Sequence, residues 1–554
     1  MAEFTCRYAF LRVPGASCCL GKIRRSYMNQ SKEKRSFTRG MSELHTWGGL
    51  VFGWLLFVIF FTGTLAVFEQ ELTHWMQPNV RISEVEPVQA LASAEKKLRQ
   101  LSPKADTWMI ALPQQRHQDL EITWIKGKKA VEKHLNPQSG AIIKTPETEG
   151  GHFLAHFHFE LHSGKVGLWL VTLASMVMLA ALVSGIAIRR QVFKDFFRLR
   201  WRKNWLNVHT MTGVFTLPFV LLITYTGLTV TFLMLLPVVP QVLYGSSWKG
   251  PQSVAAKNFE RPRANLPREL VPLTSLLPLA EAELGKGKIS FIRVSNPGDQ
   301  QAVVTFFRTI DDTVVAISNR AIFDGVTGEL LGSQTTWSKY VHIYRSLVGL
   351  HIARFGGYPI AWLYFAAGLI SCIMIAAGLI FFTIKRRSRY ARNSQMAQWM
   401  YRAIEGLNIT AIIGIIIACI AYLWANRLLP FDIKERADAE ITAFFSVWLI
   451  TLFHAFLRPP LRAWIEQLRI AAGLCIGLPA LNALTTNVGL LPAIARNDWM
   501  TVSVDLTAAS LGILLALTAW RVSLKERNNE KLLEQQSSLS SSSVNFPIER
   551  TPLQ

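Results

Sequence analysis

Apolar residues along this chain come in long uninterrupted runs, separated by polar and strongly charged segments. Eight runs approach the ~20 residues that a helix needs to cross the hydrocarbon at ~1.5 Å per residue. They lie near 46–68, 165–188, 209–236, 358–384, 407–428, 441–457, 470–492 and 503–521. The sixth is short, and the seventh is interrupted by Pro479 and Asn482. Two longer intervals, 69–160 and 237–349, have a different texture. In the first, "PVQALASAEKKLRQL" (87–101) has helical spacing, whereas "DTWMIALP", "DLEITWI" and "AVEKHLN" read as short strands. The second repeats the idea with "LTSLLPLAEAEL", then "ISFIRVS", "QAVVTFFRT" and "VVAISNRAIFD". The pattern predicts an α-helical polytopic membrane protein with about eight transmembrane helices and two small α+β modules.

The first four runs are two copies of one unit. "LHTWGGLVFGWLLFVIFFTGTLAVF" (44–68) overlays "VHTMTGVFTLPFVLLITYTGLTVTF" (208–232) without a gap. "LHSGKVG" (161–167) matches "LHIARFG" (350–356), and the turn signal "NPQSGAII" (136–143) matches "DGVTGELL" (324–331). The expected order is an N-terminal segment 1–43, a span 44–68, module 69–160 and a span 161–188. A basic loop 189–207, a span 208–236, module 237–349 and a span 350–384 follow. A second basic loop 385–406, a four-span extension 407–522 and a Ser-rich disordered tail 523–554 complete the chain. An even number of spans separates the copies, so the repeat is parallel and implies a pseudo-two-fold axis along the membrane normal.

Charge adds an orientation. The 59 Lys plus Arg outnumber the 37 Asp plus Glu. The excess is concentrated between Arg189 and Lys203, in "KRRSRYAR" (385–392) and around "RPPLRAW" (458–464). This is a positive-inside pattern and not a nucleic-acid surface. It places both termini in the cytoplasm and the two modules on the outer side. No Cys occurs in either module, so no disulfide framework supports them. Cys18-Cys19 has no second ligand pair nearby, and the first 40 residues lack the apolar core of a cleaved signal peptide. Met28 and Met41 are alternative starts. No phosphate loop and no GxGxxG motif appears, and no Asp or Glu sits well inside the first four spans. Those absences weigh against a nucleotide enzyme and a proton-coupled transporter.

Four of the 12 histidines fall on the repeat: His45 with His209 from the basic side, and His162 with His351 from the outer side. A neutral imidazole is a good axial ligand for haem iron, and helices facing each other across a bundle can clamp one cofactor between two such rings. The duplication therefore points to two metal or haem sites, one near each membrane face. Gly49, Gly63, Gly213 and Gly227 would permit close approach. "HFLAHFHFELH" also offers His152, His156 and His158. His158 is one turn from His162 and could serve instead of it or beside it, and the tract alone could hold Zn²⁺ or Cu²⁺. His454 reads as a packing residue, and His74, His117 and His134 as exposed module residues.

"HFHFELHSGKVGLWLV", "RRQVFKDFFRLR", "LPFVLLITYTGL" and "LHIARFGGYPIAWLYFAAGLISCIMIAAGLIFFTIKRR" closely resemble the PepSY-associated transmembrane family of bacterial inner-membrane proteins, which includes ferric-siderophore reductases. The resemblance covers roughly 40–390; the last four spans resemble an extension found in one branch. It implies PepSY-like modules in the periplasm, two haem b groups, and electron transfer from a cytoplasmic or quinone donor to a ferric siderophore. The family's ligand positions map onto His45, His162, His209 and His351, with His158 also fitting. His342, in the stretch before His351, makes the outer assignment less secure than the inner one. Arg116 and His117 could meet an anionic chelate. Two alternatives carry no redox chemistry: a PepSY protein that restrains a peptidase or sensor, and a siderophore or haem permease.

Overall fold

The computed structural model describes residues 16–80, 85–114, 116, 119–189, 204–236, 261–391 and 394–542. Cys6, His117, the side chains of Cys18 and Cys19, most of the basic run 189–203 and the end of the Ser-rich tail lie outside the described residues.

Helix α1 (Ala16–Ala66) continues into α2 (Glu69–Met76) and then α3 (Pro87–Leu101). After four strands come α4 (Gly150–Glu160), α5 (Gly164–Ile188) and α6 (Trp205–Leu235). The second copy supplies α7 (Leu273–Leu284), four more strands, α8 (Lys339–Ile352) and α9 (Gly357–Ala391). The extension consists of α10 (Gln395–Leu428), α11 (Arg436–Leu457), α12 (Pro460–Thr485), the short α13 (Leu490–Ala495) and α14 (Trp499–Ser542). Among the described residues, eight helices are long and apolar enough to cross a membrane: α1, α5, α6, α9, α10, α11, α12 and α14. A π-helical turn at Thr410–Gly414 interrupts α10, which is the most enclosed of them.

The strands are β1 (Thr107–Ala111), β2 (Leu120–Lys126), β3 (Lys129–Leu135), β4 (Ile142–Ile143), β5 (Ile289–Ser295), β6 (Val303–Arg308), β7 (Arg320–Asp324) and β8 (Leu330–Gln334). The two expected modules are one structure. All eight strands form a single antiparallel sheet in the order β4-β3-β2-β1-β5-β6-β7-β8. The seam is the β1–β5 pair, with Ile110 opposite Ile292, both fully buried. Pairing the copies through their first strands removes two exposed sheet edges. It also merges two small cores into one, with Leu91 and Leu98 of α3 and Leu273 and Leu277 of α7 packed under the same sheet. The echoed turns have the same cause in both copies. Asn136 Oδ1 accepts from the amides of Gln138 and Ser139, and Asp324 Oδ1 from those of Val326 and Thr327. Gly140 and Gly328 then take the positive φ that closes each turn.

Two histidines read as exposed module residues are enclosed. His134 hydrogen-bonds Asp119 at 2.8 Å from within the sheet, and His74 meets Asp498 at the foot of α14. Asp119, Glu121 and His134 bring three potential ligand atoms within 4.8 Å of one another. His454 pairs with Glu466 at 2.9 Å across the α11–α12 turn.

Candidate functional site

His45 lies on α1 and His209 on α6, 164 residues apart in sequence, and their ring centroids are 5.9 Å apart. At the sheet end of the same four-helix bundle (α1, α5, α6, α9), a second imidazole pair has centroids 6.1 Å apart: His351 with His158. His162 is not part of it. Helix α4 stops at Glu160, and Leu161 and His162 both adopt left-handed backbone (φ 52° and 50°), which turns the chain into α5 at Gly164. This puts His162 beyond the helix, with its ring against Phe153 and Phe445 and away from His351. His342 is exposed on α8, and its Nδ1 lies 3.4 Å from its own-turn Ser338 carbonyl.

The structural repeat is therefore offset from the motif match. "LHSGKVG" and "LHIARFG" align His162 with His351, a shift of 189 residues, whereas His158 to His351 is 193. The longer shift also relates Gly164 to Gly357, both with positive φ at the start of the returning helix. The difference is one helical turn. A sequence signal for it exists: each ligand candidate stands six residues before that glycine, and a second glycine follows 21 residues later, Gly185 in one copy and Gly378 in the other.

Those glycines build the seats. A Cβ at Gly185 would lie 3.2 Å from His45 Cε1, and one at Gly378 would lie 3.0 Å from His209 Nδ1. A Cβ at Gly63 would come within 2.5 Å of His158 Cε1, and one at Gly227 within 2.7 Å of His351 Cε1. Each ring thus sits close against a glycine of a neighbouring helix. Four residues before the glycine, a backbone carbonyl accepts from the ring. His45 Nδ1 donates to Ala181 O at 2.9 Å, His209 Nδ1 to Met374 O at 2.8 Å, and His158 Nδ1 to Ile59 O at 2.7 Å. The same register places Ile223 O at His351, whose Nδ1 also meets Thr226 Oγ1 at 3.1 Å. A carbonyl accepts only, so Nδ1 carries the hydrogen and Nε2 keeps its lone pair. No hydrogen bond to Nε2 of these four rings occurs among the described residues. Two of the glycines flagged in the sequence, Gly63 and Gly227, are seats. The other two are not: Gly49 meets nothing, and Gly213 meets Met374.

Gly63 follows His45 by 18 residues, as Gly227 follows His209, so on each of these helices the histidine of one pair and the glycine seat of the other are about 27 Å apart at ~1.5 Å per residue. The pairs thus stand close to opposite faces of a ~30 Å hydrocarbon layer. The outer pair opens into a cavity of about 500 Å³ between α1, α4, α5, α6 and α9. Leu56, Val171, Met178 and Phe219 line its depth, and His152, His156, Arg116 and Arg354 its mouth. Burial lowers the His158 imidazole from its ordinary value and pushes His351 down to about 3, with His158 beside it as a further cause. Thr224 Oγ1, buried on the cavity wall, has no hydrogen-bond partner among the described residues.

Arg116 has a different duty from the sequence expectation. It is buried, grips Glu71 of α2 through both carboxylate oxygens at 2.7 and 2.8 Å, and donates to Val67 O. It ties the β1–β2 loop to the top of α1 and is not free to meet a chelate through that fork. Each imidazole pair brings two rings to about 6 Å between centroids, with Nδ1 engaged in a hydrogen bond, which is how metal-binding histidines are generally oriented.

No curated protein matches this chain. The sequence model of the PepSY-associated TM region matches residues 42–386, which hold both imidazole pairs and the whole eight-stranded sheet. The chain belongs to the PepSY-associated TM region family, as a multi-pass membrane protein that carries a four-span extension beyond the matched region.

Proposed function

We propose that the chain binds two haem b groups, one between His45 and His209 and one between His158 and His351, and that it carries electrons across the inner membrane to a ferric siderophore. The supporting observation is the fourfold seat: ring against glycine, Nδ1–H on a carbonyl, Nε2 open, repeated at both ends of one bundle. The spacing fits. Two imidazoles that shared one metal ion through bonds of about 2 Å would have their centroids about 6 Å apart; the pairs have 5.9 and 6.1 Å. The cavity beside the His158–His351 pair fits as well, with apolar walls for a macrocycle.

Haem, when bound, supplies reversible one-electron iron chemistry at each end. The chain's residues do the rest. Three carbonyls hold His45, His209 and His158 in one tautomer and orientation, Thr226 Oγ1 meets Nδ1 of His351, and Leu56, Val171, Met178 and Phe219 line the outer site with apolar side chains. The positive-inside pattern puts the His45 end in the cytoplasm, so the donor, quinone or protein, gives its electron there, and the sheet end faces the periplasm. The net step is one electron from the donor to the chelate, Fe³⁺ becoming Fe²⁺, which hard oxygen ligands hold less tightly.

Purified protein in vesicles tests this reading. Reductant is placed inside, with a ferric hydroxamate and a membrane-impermeant ferrous indicator outside. The wild type is expected to develop ferrous colour, and the double variant His45→Ala, His209→Ala to fall to the rate of protein-free vesicles. A wild-type rate equal to that of empty vesicles contradicts the proposal.

A further inference from the structure

The four-span extension lies outside the matched region and adds no imidazole to either pair. It packs on α1, α2 and α9, and its aromatic and buried polar side chains also reach α4, which carries His158. At the start of α4, Tyr422 Oη of α10 donates to Gly150 O at 2.9 Å, and Thr148 Oγ1 donates to Glu440 of α11 at 2.6 Å. Arg436 adds a hydrogen bond to Glu147 O at 3.1 Å. Along α4, Phe153 packs on Tyr422 and Phe444 at 5.0 Å each, and Phe157 on Phe444 and Trp448 at 5.2 and 5.9 Å. Phe153, Phe157, Tyr422 and Phe444 are all buried. The opposite side of α4 rests on α1, where His158 meets Ile59 O.

Among the described residues, the equivalent helix of the second copy is less enclosed. Helix α8 carries His351 and packs against α6, but only Val341 and Gly349 of its residues are buried. Ile343 remains 62% exposed. Two copies of one unit thus hold equivalent histidines in unequal ways.

Building on the haem reading above, we infer that the extension is a positioning clamp for the outer site: Tyr422, Glu440 and Phe444 fix α4 and so the orientation of His158, while His351 rides on a helix supported from within its own copy. Aromatic faces and a buried hydrogen bond hold α4 on two sides, so its amides open less often than those of α8. Loosening the clamp changes the imidazole set by α4 and leaves the inner pair untouched.

Hydrogen exchange on the full-length protein in detergent, combined with electron paramagnetic resonance of the oxidised protein, tests the clamp. In the wild type, amides of 150–160 are expected to exchange about tenfold more slowly than those of 339–352. Phe444→Ala should accelerate 150–160 by about tenfold and shift the outer low-spin signal, leaving 339–352 and the inner signal unchanged; Phe444→Leu should restore most of both. Tyr422→Phe removes only the hydrogen bond and should give a smaller change of the same kind. The clamp is overturned if exchange in 150–160 is indifferent to both substitutions, or if α4 and α8 loosen together. A wild type without haem signals would sink the haem reading, while the exchange pattern would still decide whether the extension clamps α4.

Discussion

Replacing His158 by Ala is expected to leave the purified protein with one haem per chain instead of two, whereas replacing His162 by Ala should leave both. His158 is the ring 6.1 Å from His351, seated on Gly63 with its Nδ1 on Ile59 O. His162 lies in the left-handed turn after α4 and packs on Phe153 and Phe445. Loss of one axial imidazole removes half the protein's hold on the outer group, and the open cavity then admits water to the remaining face. Gly63→Leu should behave like His158→Ala, because any side chain there collides with the imidazole. Loss of haem in His162→Ala with retention in His158→Ala would reverse the outer assignment. The pyridine haemochrome assay of the purified variants reads the difference.

The second large effect is on stability. Glu440→Ala should destabilise the protein by about 3–5 kcal/mol, because it leaves a buried guanidinium without its counter-charge. Glu440 is fully enclosed and accepts from Arg436, from Asn426 Nδ2 at 2.7 Å and from Thr148 Oγ1 at 2.6 Å. Arg436 is equally buried, and its remaining partners are backbone carbonyls, including those of Pro430 and Glu147. Glu440→Gln keeps the volume and most hydrogen bonds and should cost less. Thermal unfolding in detergent, followed by tryptophan fluorescence, measures both; a Glu440→Ala transition at the wild-type temperature would show that the pair does not hold α11 to the α4 segment.

Much of this architecture is written in the residues. The eight spans follow from apolar run length alone, and the strands of the modules from their short alternating segments. The seat glycines Gly63 and Gly227 and the inner pair fall out of the gapless overlay of 44–68 on 208–232. Three things were harder to read. The fusion of two modules into one sheet depends on β1 meeting β5, a pairing between residues some 180 positions apart that no local pattern encodes. The histidine that faces His351 lies one turn from the one the shared "LH" aligns with it, because the helix end is set by non-glycine residues in left-handed backbone, Leu161 and Ala353. Composition does not announce such caps. The burial of Arg116, His74 and His134 arises from partners on distant elements, Glu71, Asp498 and Asp119, and polar residues in a polar module otherwise read as surface.

The central claim is that each membrane face holds one iron porphyrin between two imidazoles. Quantifying haem and recording low-temperature electron paramagnetic resonance on the oxidised wild-type chain tests it most directly. The account predicts two haems per polypeptide, both low-spin with bis-imidazole signals and with sharp b-type absorption bands on reduction. A colourless protein, or high-spin iron at both sites, would contradict it.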